Sequence, residues 1–198
     1  MLTESFPQVN LSHKPTPFER LDNLSNDYST NIWIKRDDCT GLAFGGNKSR
    51  QLEYYIGHAL SKGADTLLTT GAVQSNHVRT PYGALGYVEA AEEILDQLRA
   101  MAITPKCFFL PTGSASTHAG FLLGLLASDC AIPVRGVYVR RDAASQQQRV
   151  LEKIASVIEL MGLDTVVERD QVICDDSFLA PGYGHSNPAT QLAIETLA

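Results

Sequence analysis

Alternation of strand-like and helix-like segments is the feature that most constrains how this chain folds. Short runs of alternating or wholly apolar side chains are typical of strands, and apolar residues repeating at helical spacing are typical of helices. The predicted strands are 31–36, 66–70, 106–111 and 134–140. The predicted helices are one that follows a cap at Asn47 and is ended by Lys62-Gly63, and those at 84–99, 119–127 and 143–161. Strands that alternate with helices through short breaks build βαβ units. The sequence therefore predicts an α/β fold, a mostly parallel sheet with helices on both faces.

Composition excludes several classes of protein. The net charge of -6 and the lack of a basic run argue against nucleic-acid binding. No apolar stretch reaches membrane-spanning length, so we expect no membrane association. The four cysteines form no C-x-x-C pair and lie near no histidine at metal-ligand spacing, which favours free thiols, a cytoplasmic location and no metal site.

Lys48 is the first candidate for chemistry. It follows the Gly45-Gly46-Asn47 turn and so lies at the predicted start of a helix. The helix dipole disfavours a cation there and lowers the pKa of an amine, which makes the amine a better nucleophile toward carbonyl groups. A solvated surface lysine is the alternative interpretation.

Residues 112–120 form the second candidate. This segment follows a strand, consists largely of small and hydroxylated residues, and opens a helix. Backbone N–H groups at such a helix start bind phosphate monoesters, and hydroxyls add donors. The alternative is a polar cap on a buried helix.

Two further segments offer polar side chains. Gln74-Ser75-Asn76-His77 supplies a hydroxyl, an amide and an imidazole after a predicted strand, where α/β proteins place ligands. Residues 180–184 form a turn that presents one tyrosine. Helix capping and a purely structural turn are the respective alternatives. Together, a reactive lysine, a phosphate cradle and nearby donors are what a pyridoxal phosphate enzyme requires.

These motifs resemble a known family. Residues 34–48 and 74–79 closely resemble the D-cysteine desulfhydrase and 1-aminocyclopropane-1-carboxylate (ACC) deaminase family, which belongs to the tryptophan-synthase-β-like, fold type II pyridoxal phosphate enzymes. Residues 83–88, 112–120 and 180–184 resemble later family motifs in the family's order. The resemblance implies pyridoxal 5'-phosphate as cofactor and a fold type II architecture.

The resemblance also assigns roles by position. Lys48 is similar to the lysine that holds the cofactor and moves the substrate's α-proton. Asn76 is similar to the residue that binds the cofactor's ring oxygen, and Ser75 to the serine near the substrate. Tyr183 matches an active-site tyrosine. The implied phosphate cradle consists of Gly113, Ser114, Ala115, Ser116 and Thr117.

The implied activity is β-elimination on a small amino acid. His77-Val78 and Gly182-Tyr183 resemble the desulfhydrase branch, which converts D-cysteine to pyruvate, hydrogen sulfide and ammonia. ACC deaminase and L-cysteate sulfo-lyase are the alternatives. The resemblance also implies a small amino-acid substrate and a possible homodimer.

The chain departs from the family pattern at several places. Thr80-Pro81 joins directly to the next motif, so a segment of the small domain is predicted to be missing at 80–81, and the chain stops at Ala198, before the family's last motifs. Ser116 replaces a usual glycine of the cradle, and Gln51 a usual basic residue. We therefore predict one domain over 1–198 with a reduced small domain. A truncated, catalytically inactive family member is the alternative function.

Overall fold

A computed structural model describes residues 1–42, 45–67, 80–138, 140–182 and 184–197. The helices in these ranges are α1 (Asp22–Asp27), α2 (Asn47–Ser61), α3 (Tyr82–Met101), α4 (Ser116–Ala127), α5 (Ala143–Met161) and α6 (Pro188–Leu197). The strands are β1 (Phe18–Arg20), β2 (Trp33–Lys35), β3 (Phe108–Pro111), β4 (Val134–Val137) and β5 (Ile173–Asp175). Within the described part of the chain, no helix has the length and apolar character needed to cross a membrane.

Parallel pairing orders the larger sheet. Strands β3, β4 and β5 lie side by side in that order, with Phe108 opposite Val134 and Arg135 opposite Ile173. This arrangement confirms the predicted parallel sheet. The predicted strand at 31–36 contains β2, but β2 pairs antiparallel with β1 in a separate sheet. Of the predicted strand 66–70, residues 66 and 67 are irregular and the rest lie outside the described residues.

Helices α3 and α4 form the centre of the core. They approach so closely that a Cβ on Gly120 would overlap the carbonyl oxygen of Ala84. A Cβ on Gly86 would likewise overlap the carbonyl oxygen of Arg50, where α3 crosses α2. Glycine permits both approaches because it has no side chain. The packing of α2, α3 and α4 brings the beginnings of α2 and α4 to the same region.

A buried ionic cluster joins the N-terminal segment to α2 and α3. The Arg50 guanidinium is fully buried, and it donates to the carboxylates of Asp37 and Glu93 at 2.9–3.1 Å. It also donates to the Thr16 hydroxyl at 3.0 Å. Lys35 donates to Glu93 as well. Burial alone would raise the pKa of Glu93, but its bonds to Arg50 and Lys35 lower that pKa to about 2.

Candidate active site

Two glycines set the start of α2. Gly45 and Gly46 both have positive φ, at 71° and 92°, and a Cβ on Gly45 would overlap the carbonyl oxygen of Asp38. The N–H of Gly46 donates to the carbonyl oxygen of Asp37 at 2.7 Å, which closes the turn. These backbone positions favour glycine, since L side chains rarely adopt them. The turn places Lys48 as the second residue of a 15-residue helix.

Lys48 has an amine suited to nucleophilic chemistry. Burial by the surrounding protein lowers the pKa of its ammonium, even though the side chain retains access to solvent. The positive end of the α2 dipole acts in the same direction. Among the residues that the structure describes, no carboxylate forms an ion pair with Lys48 that would oppose this shift. A larger fraction of neutral amine follows at a given pH.

The loop from Gly113 to Ala115 connects β3 to α4. Ala115 has a left-handed conformation, with φ of 75°, and turns the chain directly into the helix. α4 therefore begins at Ser116, three residues before its predicted start at Ala119. The first N–H groups of a helix have no partner within it, and no side chain caps this end of α4. This helix start is available to an anion.

The hydroxyl of Ser116 tests whether a phosphate group fits here. Ser116 is 1% exposed, and its Oγ has no hydrogen-bond partner among the described residues. A buried polar atom without a partner costs about 1–3 kcal/mol, so such atoms are rare unless a ligand satisfies them. An added Cβ on Gly113 would meet no atom within 4 Å, so space remains beside the loop. The cradle residues fit the phosphate of pyridoxal phosphate.

Thr117 joins the beginnings of the two helices. Its Oγ1 accepts a hydrogen bond from Asn47 Nδ2 at 2.9 Å and one from Gln51 Nε2 at 3.2 Å. Asn47 directly precedes Lys48 in the chain. The structure therefore brings the predicted reactive lysine and the predicted cradle into one site. Gln51 occupies the position where the sequence departs from the family's basic residue, and its role as a Thr117 donor was not predicted.

Arg141 and Gln146 form hydrogen bonds to the cradle loop, and the sequence did not predict either residue. Arg141 donates to the carbonyl oxygen of Gly113 at 2.7 Å and to Gln146 Oε1 at 2.6 Å. Gln146 Nε2 in turn lies 3.3 Å from the Thr112 hydroxyl. Arg141 follows β4 at the carboxyl edge of the parallel sheet, the location where α/β folds place functional residues. That location is the signal that could have identified it.

Three predicted site residues lie outside the described residues: Ser75, Asn76 and Tyr183. Their roles stay predictions from the resemblance. In the ranges that are described, no three His, Cys, Asp or Glu side chains are grouped as ligands for a metal ion. The site described here is therefore made of Lys48, the cradle from Gly113 to Thr117, and the residues that contact it.

Comparison with known proteins identifies the family of this chain. A family model described as pyridoxal-phosphate dependent enzyme matches residues 9–80. The chain is 31% identical to a D-cysteine desulfhydrase of Klebsiella pneumoniae subsp. pneumoniae, over 98% of this chain and 82% of that protein. The chain belongs to the D-cysteine desulfhydrase and ACC deaminase family. Enzymes of this family use pyridoxal phosphate. A D-cysteine desulfhydrase of Salmonella paratyphi C is 30% identical over the same shares of both chains.

A solved structure confirms the fold class. The crystal structure of an ACC deaminase homologue superposes with a TM-score of 0.81 at 28% identity, and the match covers 93% of this chain and 77% of that chain. The alignment to the Klebsiella relative spans 275 positions, whereas this chain has 198 residues. At least 77 positions of that relative therefore have no counterpart here.

Proposed function

We propose that the chain is a pyridoxal-phosphate-dependent β-eliminating lyase that acts on D-cysteine or a similar small amino acid. One observation carries the proposal: Thr117 links the N-terminus of the Lys48 helix to the uncapped N-terminus of α4. The relatives named D-cysteine desulfhydrase support the choice of substrate. The overall reaction would convert D-cysteine and water to pyruvate, hydrogen sulfide and ammonia.

The chain's own residues would bind the cofactor and move one proton. N–H groups of the first turn of α4 and the Ser116 hydroxyl would donate to the phosphate oxygens, and Lys48 would bind the aldehyde carbon. When bound, pyridoxal phosphate supplies an electron sink for the substrate's α-carbon. Lys48 Nζ, whose pKa burial lowers, would accept the α-proton. By resemblance, Asn76 would bind the cofactor ring, and Ser75 and Tyr183 would face the substrate.

Lysine-specific labelling tests cofactor binding. The purified chain is mixed with pyridoxal phosphate, its visible absorbance is recorded, and the product is reduced with borohydride and mapped by peptide analysis. We expect label on Lys48 and none after Lys48→Ala. Lys62→Ala, which removes an exposed lysine at the other end of the same helix, is the matched control and should label like the wild type. Label spread over surface lysines would contradict the site.

Product analysis tests the reaction. Pyruvate from D-cysteine, abolished by Lys48→Ala but retained in Lys62→Ala, is the expected result. ACC would give 2-oxobutanoate instead, and L-cysteate would release sulfite, so the three activities have distinct products. Turnover of D-cysteine that survives Lys48→Ala would contradict the assignment.

A chain that binds the cofactor without turnover is the second candidate, because at least 77 aligned positions of the Klebsiella relative are missing. Label on Lys48 without any of the three products would establish this candidate.

We propose that the missing block falls between Thr80 and Pro81. The family match ends at residue 80. Around the junction, Tyr55 donates to the Thr80 carbonyl oxygen at 3.4 Å, and Tyr82 stacks on His58 with ring centroids 3.8 Å apart.

The remaining expectations concern location and assembly. All four cysteines are free thiols, which supports a reducing, cytoplasmic compartment. A homodimer stays a prediction from the resemblance. Light scattering of the purified chain measures its mass directly, and a monomer mass would contradict the dimer.

A further inference from the structure

The cradle loop is held by residues that do not belong to it. One terminal nitrogen of Arg141 donates both of its hydrogens: one to the Gly113 carbonyl oxygen at 2.7 Å and one to Gln146 Oε1 at 2.6 Å. Gln146 is fully buried, and its amide nitrogen lies 3.4 Å from the same Gly113 oxygen. The two side chains thus converge on a single backbone carbonyl.

Arg141 and Gln146 lie at the beginning of α5, which is itself held by hydrogen bonds. The Asp142 side chain caps α5 by accepting from the Ser145 N–H at 2.8 Å. The Ala143 N–H donates to the Asp176 carboxylate at 2.7 Å, which ties the start of α5 to the chain after β5. The beginning of α5 is therefore fixed to the sheet, and the cradle is fixed to the beginning of α5.

Peptide geometry connects the Gly113 carbonyl to phosphate binding. In a trans peptide, the carbonyl of one residue and the N–H of the next point in opposite directions within one plane. Holding the Gly113 carbonyl toward Arg141 therefore directs the Ser114 N–H away from Arg141. Gly113 has no side chain and open space around it, so without these bonds its backbone would sample many conformations.

We propose that Arg141 and Gln146 are positioning residues for the phosphate cradle: they fix the Gly113 peptide so that the Ser114 N–H stays available to a phosphate ester. The inference rests on the proposed function for the identity of that ester. A preorganised loop loses less conformational entropy on binding, so it binds its ligand more tightly. The effect should be confined to ligands that carry a phosphate group.

Comparison of pyridoxal phosphate with pyridoxal isolates the phosphate contribution. Dissociation constants of both are measured by absorbance titration for the wild type, Arg141→Met, Gln146→Leu and Arg149→Met. Arg149→Met removes an exposed arginine of α5, so it matches Arg141→Met in charge. We expect the preference for pyridoxal phosphate to fall about tenfold in Arg141→Met and Gln146→Leu, which corresponds to about 1.4 kcal/mol. Arg149→Met should keep the wild-type preference for pyridoxal phosphate.

The pyridoxal measurement separates positioning from general damage. A variant that is merely less well folded would bind both compounds more weakly, and the ratio of their affinities would not change. An unchanged ratio in Arg141→Met would overturn the proposal. A fall in Arg141→Met but not in Gln146→Leu would also overturn it, because charge rather than loop position would then be responsible.

Inorganic phosphate distinguishes failure of this inference from failure of the proposed function. Thermal unfolding of the same four proteins is measured with and without phosphate. If phosphate stabilises the wild type and Arg149→Met but not the other two variants, the positioning role stands even if Lys48 takes no label from pyridoxal phosphate. If the wild type responds to neither phosphate nor pyridoxal phosphate, both proposals are wrong.

Discussion

Replacing Arg50 by methionine should destabilise this fold more than any change of an exposed charge. Arg50 is fully buried, and its guanidinium is the donor for two carboxylates, those of Asp37 and Glu93, and for the Thr16 hydroxyl. Methionine fills much of the same volume but donates nothing. The carboxylates of Asp37 and Glu93, which are mostly buried, would then lose their shared cation, while Lys35 would still contact Glu93.

The expected loss of unfolding free energy can be worked out in two ways. Removing one partner of a buried ion pair typically costs about 3–5 kcal/mol. The pKa of Glu93 is about 2 in the folded chain against 4.5 in the reference state, and that difference is worth about 3 kcal/mol at neutral pH. Most of this contribution comes from Arg50, so we expect Arg50→Met to lower the free energy of unfolding by about 3 kcal/mol, or the melting temperature by about 10 °C.

The loss of unfolding free energy in Arg50→Met should depend on pH. Because the folded pKa of Glu93 lies below its unfolded value, its stabilisation is complete above pH 4.5 and is lost as pH falls toward 2. At about pH 3 the difference between wild type and Arg50→Met should therefore be smaller by about 2 kcal/mol than at neutral pH.

Urea unfolding followed by circular dichroism measures both quantities. Arg99→Met is the matched control: Arg99 lies on α3, is exposed and pairs only with Asp96 across the helix surface among the described residues. It should change the free energy of unfolding by less than about 0.5 kcal/mol. A loss below about 1 kcal/mol for Arg50→Met, or a loss that does not shrink in acid, would show that Arg50 does not stabilise the buried carboxylates.

Three further predictions concern the core and the cradle. Gly120→Ala should lower the free energy of unfolding by about 1–3 kcal/mol in urea denaturation, because the added Cβ would overlap the Ala84 carbonyl oxygen. Gly113→Ala, whose Cβ would meet no atom, should be tolerated, and equal losses for the two variants would contradict this. Burial lowers the pKa of His118 to about 4, so stability should fall by about 3 kcal/mol as pH drops from 6.5 to 4. His118→Leu should lack that part of the slope, and an identical slope would count against it. Without cofactor, Ser116→Ala should stabilise the chain by about 1 kcal/mol, because it removes a buried hydroxyl that has no hydrogen-bond partner among the described residues. The same change should weaken the affinity for pyridoxal phosphate. A loss of stability would show that the hydroxyl already has a hydrogen-bond partner.

Much of the candidate site was visible in the sequence. Lys48 after a glycine turn and the hydroxyl-rich start of α4 are both local patterns. The helix dipole lowers the pKa of the Lys48 amine, and the N–H groups at the start of α4 favour a phosphate group. Their adjacency was not visible, since the contacts of Asn47 and Gln51 with Thr117 span 70 and 66 residues of chain. Arg141 and Gln146 were missed for the same reason, because nothing near them in sequence marks Gly113 as their partner.

What the sequence alone determined are the elements whose causes are local. α5 spans the predicted residues 143–161, because its apolar residues repeat at helical spacing and Gly162 ends it in a left-handed conformation. Tertiary structure decided the rest. α4 begins at Ser116 because Ala115 turns the loop into the helix, and β2 pairs with β1 instead of joining the parallel sheet. The cluster around Arg50 joins residues 16, 37 and 93, so its burial exists only once the fold brings them together. Periodicity along the chain records which face of an element is buried, but it does not record which other element covers that face.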